Sequence, residues 1–203
     1  MDTQGQTSVL LVRHGQSTWN EEHRWQGQAD PPLSDHGRHQ AHLAAQAIGT
    51  VDAIVSSPQI RALETATIIG EQIGVGPIQI VEELRERNAG RWSGLTTSEI
   101  EAQWPGWIDS GQRPPDWESD TSVLVRMQTA VDAIVAEFAG ATVLVVCHGG
   151  VIVVMEDHLG VRDGRVPNLN GRVVISGPGG LAAGDRLELL PPAETTGGGR
   201  SRI

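Results

Sequence analysis

Two short apolar segments, each followed by a histidine and a glycine, limit the folds open to this chain more than any other feature. Residues 8–12 lead into Arg13-His14-Gly15, and residues 142–147 lead into His148-Gly149. Apolar runs of this length, stopped by glycine, are typical of strands buried on both faces. Parallel strands of this kind end at one edge of their sheet, so we expect both histidines to face a single crevice there.

Amphipathic helices are predicted between the strands. Ser34 can cap a helix that reaches residue 48, Ser57-Pro58 is a typical helix start, and a longer helix is predicted over residues 119–138. Further strands are predicted at residues 51–55 and 78–81, and a closing hairpin at residues 172–176 and 186–190. Strands that alternate with helices imply an α/β fold, a three-layer sandwich with a mostly parallel central sheet flanked by helices.

The length of 203 residues fits one domain, which we expect to span residues 1–190. Residues 191–203 are rich in proline and glycine, which predicts a disordered tail. Three tryptophans and three prolines within residues 104–117 predict an ordered, lid-like loop. The apolar runs stay below the roughly 18 residues of a membrane helix, and residues 1–6 do not resemble a signal peptide. We therefore expect a cytoplasmic protein.

Charge and cysteine content restrict the partners. The formal charge of −10 argues against nucleic acid or an anionic membrane as a partner. The only cysteine, Cys147, allows no internal disulfide and no paired-cysteine metal site. All 15 basic residues are arginine, so an anion site must use arginine, histidine or backbone amides. The oligomeric state is left open, and a homodimer is one of the assemblies that the sequence allows.

The expected crevice combines two imidazoles with two guanidinium groups. Arg13 precedes His14, and Arg61 lies in the first turn of a predicted helix. Together with His148 and the amides that follow Gly149, these groups match the oxygens of a phosphoryl group, which implies a phosphomonoester ligand. A neutral imidazole can attack phosphorus unaided, so we expect neither a metal nor another cofactor. Taken singly, each residue also has a plainer interpretation, because a histidine after a strand is more often structural than nucleophilic.

A longer pattern of motifs surrounds these residues. Residues 12–20 read Val12-Arg13-His14-Gly15-Gln16-Ser17-Thr18-Trp19-Asn20. Further segments are Arg24-Trp25-Gln26-Gly27, Pro32-Leu33-Ser34, Ser56-Ser57-Pro58 with Arg61-Ala62, Leu84-Arg85-Glu86, Glu118-Ser119 with Arg126, and Cys147-His148-Gly149-Gly150. In order and spacing, over nearly the whole chain outside the tail, this pattern resembles the histidine phosphatase superfamily, also called the phosphoglycerate mutase-like family. The resemblance implies the phosphoglycerate mutase-like fold.

The resemblance also implies roles for individual residues. His14 corresponds to the nucleophile that becomes phosphohistidine, and Glu86 to the proton donor. The residues that correspond to the phosphate contacts are Arg13, Arg61, His148 and Asn20. Other residues expected at the substrate are Ser17, Gln26, Gly27 and Gly149. Without the resemblance, nothing selects Glu86 over Glu82 or Glu83 in the same acidic cluster.

The favoured function is metal-independent hydrolysis of a small phosphorylated metabolite. A cofactor-dependent phosphoglycerate mutase is the first alternative, but such family members have a longer, more basic segment between the acid motif and the second histidine. Here that interval contains only four basic residues, Arg87, Arg91, Arg113 and Arg126. A non-catalytic protein that binds phosphorylated ligands is the second alternative, and it would not need a proton donor at Glu86. The sequence does not specify the physiological substrate.

Overall fold

The computed structural model describes residues 5–195, in which six strands form one sheet. The strands are β1 (Ser8–Arg13), β2 (Ala53–Ser56), β3 (Gln79–Ile80), β4 (Thr142–Cys147), β5 (Asn170–Gly177) and β6 (Gly180–Glu188). Their order across the sheet is β3-β2-β4-β1-β5-β6. The first four in this order are parallel to one another, and β5 and β6 form an antiparallel hairpin beside β1. The predicted mostly parallel sheet with a closing hairpin is confirmed.

Helices connect and cover these strands. They are α1 (Thr18–Glu21), α2 (Asp35–Ala47), α3 (Ile60–Ile73), α4 (Thr97–Gln103), α5 (Asp120–Glu137), α6 (Gly149–His158) and α7 (Pro192–Thr195). The hydroxyl of Ser34 caps α2 by accepting the amide hydrogen of Gly37. Thr96 and Glu99 form a capping box at the start of α4. None of the helices in residues 5–195 is both long and apolar enough to span a bilayer.

Side chains of the central strands alternate between two cores, one on each face of the sheet. One face contributes Leu10, Val12, Leu144 and Val146 to a core shared with α2 and α3. The opposite face contributes Val9, Leu11, Val143 and Val145 to a core shared with α5 and α6. Burying each such side chain contributes about 1.5–3 kcal/mol. The two cores make the predicted three-layer sandwich and hold the central strands in register.

The register of the sheet places both histidines at one edge. Arg13, the last residue of β1, pairs with Cys147, the last residue of β4. The amide of His14 continues this ladder by donating to the carbonyl oxygen of Cys147 at 3.0 Å. His14 and His148 therefore leave neighbouring strands at the same level, as the common-edge argument predicts.

The start of α3 differs from its prediction. Ser57 was expected to cap the helix, but α3 begins at Ile60 and its N-cap, Gln59, makes no side-chain capping bond. The reason is that Ser57 still belongs to the end of the sheet, where its amide donates to the carbonyl of Val146 at 3.0 Å. Arg61 nevertheless lies in the first turn of α3, as expected.

The chain end also differs in part from its prediction. Within the expected disordered tail, Pro192–Thr195 form the short helix α7. The backbone carbonyl of Glu194 accepts a hydrogen bond from the Gln40 side chain of α2 at 3.2 Å, which ties this helix to the domain. The remainder of the predicted tail lies outside the described residues.

A third apolar cluster is built largely from tryptophan. Trp25 and Trp92 are buried in it, and partly buried rings pack against them. The rings of Trp92 and Trp117 lie 5.7 Å apart in an edge-to-face arrangement. The segment expected to be an ordered loop, residues 104–117, joins this cluster through Trp104, Trp107 and Trp117.

Candidate active site

His14 follows β1 directly, and its two ring nitrogens have different partners. The ring is almost fully buried. Nδ1 lies 2.6 Å from the carbonyl oxygen of Gly15, and Nε2 lies 3.2 Å from Nε of Arg61. A guanidinium can only donate, so Nε2 must be the nitrogen that accepts, and Nδ1 must carry the proton of the neutral ring. The lone pair of His14 is therefore on Nε2.

The surroundings of His14 keep its imidazole neutral. Burial lowers the pKa of His14 well below 6.5, and the nearby guanidinium groups of Arg61 and Arg13 lower it further. At neutral pH the ring is therefore a free base. A free-base nitrogen held by fixed neighbours is what nucleophilic attack on phosphorus requires.

Arg13 and Arg61 bring two buried positive charges to the same site. Nη1 of Arg61 donates to the carbonyl of Ala29 at 2.8 Å, and Nη2 donates to that of Gly27 at 3.0 Å. Nη1 of Arg13 donates to the carbonyl of Val166 at 2.9 Å. Burial lowers the pKa of Arg13 to about 9 and that of Arg61 to about 10, so both remain charged at neutral pH. The hydrogen-bond acceptors of both groups are neutral; the carboxylate of Asp30 lies 4.0 Å from Nη1 of Arg61, and Glu86 acts electrostatically on both arginines.

His148 follows β4 and lies beside His14. The two ring centroids are 5.2 Å apart in an edge-to-face arrangement. Nε2 of His148 contacts the hydroxyl of Ser57 at 2.8 Å, while Nδ1 is buried and has no partner among the described residues. Burial lowers the pKa of His148 well below 6.5, with a further contribution from Arg61. The site thus contains two neutral imidazoles between two guanidinium groups.

Glu86 presents a buried carboxylate to the same site. Its Oε2 accepts the amide of Gly150 at 3.1 Å, and its Oε1 accepts the amide of Arg87 at 2.7 Å. The lack of a side chain at Gly150 makes room for this carboxylate, because a Cβ atom at this position would lie 2.5 Å from Oε1 of Glu86 and would displace it. The backbone at the start of α6 therefore fixes where the carboxylate lies.

The predicted polar residues near the substrate are linked to one another. The hydroxyl of Ser17 donates to Oε1 of Gln26 at 2.8 Å. Oδ1 of Asn20 accepts the amide of Ser17 at 3.1 Å and the side chain of Asn168 at 3.3 Å. Because these oxygens already accept hydrogen bonds, the NH₂ groups of Asn20 and Gln26 are the groups that can donate to a ligand. A phosphate oxygen needs such donors.

Most predicted site residues line one cavity. Its wall includes the catalytic candidates Arg13, His14, Arg61 and Glu86 and the substrate-binding candidates Asn20, Gln26 and Gly27. Ser17, His148 and Gly149 are not part of this wall. Trp25, Ala89 and Trp117 form its apolar part. The volume is about 40 Å³, and because a buried water needs about 10–15 Å³, the cavity suits a phosphoryl group rather than a whole metabolite.

Gly149 lies behind the guanidinium of Arg13. A Cβ atom at Gly149 would lie 3.3 Å from Cδ of Arg13, so a larger residue would press on that side chain. In this structure, the lack of a side chain at Gly149 lets the start of α6 lie close to Arg13. A direct contact of the Gly149 amide with substrate stays a prediction.

Three further residues support the site; Thr65 belongs to the family pattern in the sequence, whereas Gln59 and Asn168 were not singled out. Gln59 accepts the amide of Glu86 at 2.7 Å. Asn168 donates to the carbonyl of His14 at 2.8 Å. The hydroxyl of Thr65 accepts the amide of Gly15 at 3.1 Å. All three are distant in sequence from the residue they hold, so no local pattern could have revealed these contacts.

A partly buried ion pair supports the segment before Glu86. Arg126 of α5 pairs with Glu118, with Nε and Oε1 2.8 Å apart. Nη1 of Arg126 also donates to the carbonyl oxygens of Glu83 and Arg85. The spacing of eight residues between glutamate and arginine, noted in the sequence, therefore corresponds to a clamp on the segment that carries Glu86.

Within residues 5–195, the site is accompanied neither by a reactive thiol nor by a group of metal ligands. Burial raises the pKa of the Cys147 thiol to about 12, so this cysteine is not a nucleophile at neutral pH. Within residues 5–195, no three or more histidine, cysteine, aspartate or glutamate side chains are grouped so that they could hold a metal ion.

Comparison with known proteins gives consistent matches. A family model described as histidine phosphatase superfamily (branch 1) matches residues 9–170. Glucosyl-3-phosphoglycerate phosphatase of Mycobacterium tuberculosis is 38% identical over 159 residues, which cover 71% of each chain. A Yersinia pestis protein named probable phosphoglycerate mutase GpmB is 37% identical over 149 residues, covering 70% of this chain and 69% of its own.

Solved structures give the same result. The native structure of mycobacterial glucosyl-3-phosphoglycerate phosphatase superposes with a TM-score of 0.77 at 31% sequence identity. The superposition covers 88% of this chain and 96% of the mycobacterial one.

Proposed function

The chain belongs to the histidine phosphatase superfamily and is a phosphoric monoester hydrolase, and from this premise we propose that it acts through a phosphohistidine formed on His14. The cavity lined by His14, Arg61 and Glu86 is the proposed reaction site. Its substrate is a small phosphorylated metabolite, and the reaction needs no metal.

In the first step, Nε–H of Arg61 gives up its hydrogen bond to Nε2 of His14, and the lone pair of Nε2 attacks phosphorus. The N–P bond forms while the bond from phosphorus to the ester oxygen breaks, and Glu86 in its acid form protonates the departing oxygen. Arg13 and Arg61, with the NH₂ group of Asn20, stabilise the negative charge on the three transferred oxygens. The products of this step are the free alcohol and a phosphohistidine.

In the second step, water takes the place of the alcohol. Glu86, now ionised, removes a proton from the water as its oxygen attacks phosphorus. The new O–P bond forms, the N–P bond breaks and inorganic phosphate leaves. His14 returns to the neutral state with the lone pair on Nε2, and Glu86 is again protonated.

The observation that carries this proposal is the protonation pattern of His14. Its Nδ1 is committed to the carbonyl of Gly15, and its Nε2 accepts from Arg61 on the cavity wall. A structural histidine needs no free-base nitrogen beside two guanidinium groups. A nucleophile for phosphorus does, because the anionic substrate must be drawn to an unprotonated nitrogen.

The relatives suggest a first substrate. Proteins named glucosyl-3-phosphoglycerate phosphatase are among those most similar in sequence, and we propose this phosphorylated sugar derivative as the first compound to assay. Trp25 and Trp117 support a sugar-bearing leaving group, since indole rings offer apolar surface beside the phosphoryl pocket. A cytoplasmic location, the lack of a nucleic-acid partner and the homodimer remain predictions from the sequence.

The test is release of inorganic phosphate from glucosyl-3-phosphoglycerate and from an aryl phosphate, with and without chelator. His14→Ala should abolish release. His39→Ala is the matched control, because this histidine is exposed on α2 and should leave the rate unchanged. A rate that survives His14→Ala, or that is lost on chelation, would refute the proposal. Efficient interconversion of phosphoglycerates with little phosphate release would favour the mutase instead.

A further inference from the structure

Ser57 contacts the second histidine of the site from a neighbouring strand. It follows β2 and is completely buried. Its hydroxyl lies 2.8 Å from Nε2 of His148 and also accepts the amide of Gln59 at 3.3 Å. The proposed reaction assigns no role to this hydroxyl, although it is the only side-chain hydrogen-bond partner of the His148 ring within residues 5–195.

The hydrogen atoms in this contact can be assigned. A hydroxyl has one proton to donate, and in the described part of the chain the only acceptor within reach of Ser57 Oγ is Nε2 of His148. With the ring proton on Nε2 instead, the buried hydroxyl proton would have no acceptor among residues 5–195, so the contact favours Nε2 as the unprotonated nitrogen. Because burial keeps His148 neutral, the ring proton must be on Nδ1.

This assignment leaves one buried donor without an acceptor. Nδ1 of His148 has no partner among residues 5–195. A buried, unpaired N–H group is unfavourable and is rare in native proteins. His148 is not part of the cavity wall itself, but its ring lies 5.2 Å from that of His14, centroid to centroid, and the guanidinium groups of Arg61 and Arg13 act on it electrostatically.

We propose that Ser57 is a positioning residue that holds His148 in the Nδ1-protonated tautomer, so that Nδ1–H donates to an oxygen of the bound phosphoryl group. The inference rests on the proposed function, because it takes a phosphoryl group as the ligand. In the opposite tautomer, Nδ1 would present a lone pair to an anionic oxygen, and the contact would be repulsive. Ser57 therefore acts on the substrate through His148.

The tautomer can be measured directly in the resting wild-type protein. Long-range ¹H–¹⁵N correlation spectra of ¹⁵N-histidine-labelled protein distinguish the two neutral tautomers and the charged ring, and the His148 signals are assigned by their loss in His148→Ala. We expect protonation at Nδ1, and a shift of that proton when inorganic phosphate is added. Protonation at Nε2, or a charged ring, would overturn the inference whatever the enzymatic activity.

Variants test the part played by the hydroxyl. Ser57→Ala should populate both tautomers and weaken inorganic phosphate binding by about tenfold or more, the effect of losing one hydrogen bond to a charged ligand. Ser57→Thr keeps a hydroxyl and should restore the Nδ1-protonated form. Ser56→Ala is the matched control, since Ser56 is equally buried but its hydroxyl donates to the carbonyl of Ser57 instead of the ring.

The variant results separate positioning from general damage. Normal spectra and phosphate affinity in Ser56→Ala, with both altered in Ser57→Ala, support the inference. Equal losses in the two variants, or an unchanged His148 tautomer in Ser57→Ala, would overturn it. Failure of the phosphohistidine mechanism would be seen separately, as continued turnover by His14→Ala, while the tautomer measurement requires no turnover.

Discussion

Nε of Arg61 donates a hydrogen bond to Nε2 of His14 at 3.2 Å. The group that should bind the phosphoryl oxygens therefore also fixes the ring that attacks phosphorus. The Nη1 and Nη2 groups of Arg61 are held by the carbonyl oxygens of Ala29 and Gly27, so its Nε–H approaches His14 in a defined orientation. The contact keeps His14 in the tautomer with its lone pair on Nε2, and its positive charge disfavours protonation of the ring.

The first prediction concerns the pH dependence of turnover. Because burial and the two arginines lower the pKa of His14, the acid limb of kcat/KM should lie well below pH 6.5. Arg61→Met should move that limb upward, toward 6.5, in addition to lowering the rate. The measurement is a pH–rate profile of each protein with an aryl phosphate. An acid limb at pH 6.5 or above in the wild type would contradict the environment described for His14.

Stability should depend on pH for the same reason. The folded protein disfavours protonation of His14 and His148, whereas the unfolded chain binds protons near pH 6.5. Stability is therefore greatest above pH 6.5 and is lost as the pH falls below it, by up to about 1.4 kcal/mol per pH unit for each histidine. Urea unfolding between pH 5 and 8 measures this slope. His14→Ala should reduce the slope, and an unchanged slope would argue that His14 does not contribute.

Glu86→Gln should separate protonation of the leaving group from binding. We expect kcat to fall by about 10²–10⁴-fold for an alkyl phosphate, since general acid catalysis is worth that much. The loss should be smaller for an aryl phosphate, whose leaving oxygen is less basic. Steady-state kinetics with both substrates is the measurement. Equal losses for the two esters would mean that Glu86 does not act as the acid.

Gly150 is predicted to position Glu86 through the lack of a side chain. A Cβ atom there would lie 2.5 Å from Oε1, so Gly150→Ala should displace the carboxylate. We expect kcat to fall by about 10–100-fold, with little change in phosphate affinity. Gly179→Ala is a suitable control, because a Cβ atom at Gly179 meets nothing within 4 Å. Wild-type kcat in Gly150→Ala would show that the contact does not constrain Glu86.

The local sequence was sufficient to predict the central strands and some of the helix ends. The strands before His14 and His148 could be predicted because each is a continuous apolar run stopped by glycine, and a buried strand leaves that pattern. The cap of α2 at Ser34 could be predicted because the hydroxyl and the Gly37 amide that it accepts lie within one helical turn. The common edge for the two histidines then followed from the parallel sheet.

Contacts between distant segments could not be predicted in this way. The local sequence predicts that the hydroxyl of Ser57 caps a helix, but the pairing of β2 with β4 brings it to His148, 91 residues away. Asn168 reaches the His14 carbonyl across 154 residues. Glu86 could be chosen from its acidic cluster only by family resemblance, because its burial and its contact with Gly150 depend on tertiary packing.

The most direct test of the account is to trap the intermediate on His14. Wild-type protein should be mixed with a phosphate-labelled substrate, quenched in base within the first turnovers, digested and examined by mass spectrometry for a base-stable, acid-labile phosphate on the peptide that contains His14. We predict that label on the wild type, more of it in Glu86→Gln with an aryl phosphate, and none in His14→Ala. Rapid turnover without any label on His14 would contradict the mechanism.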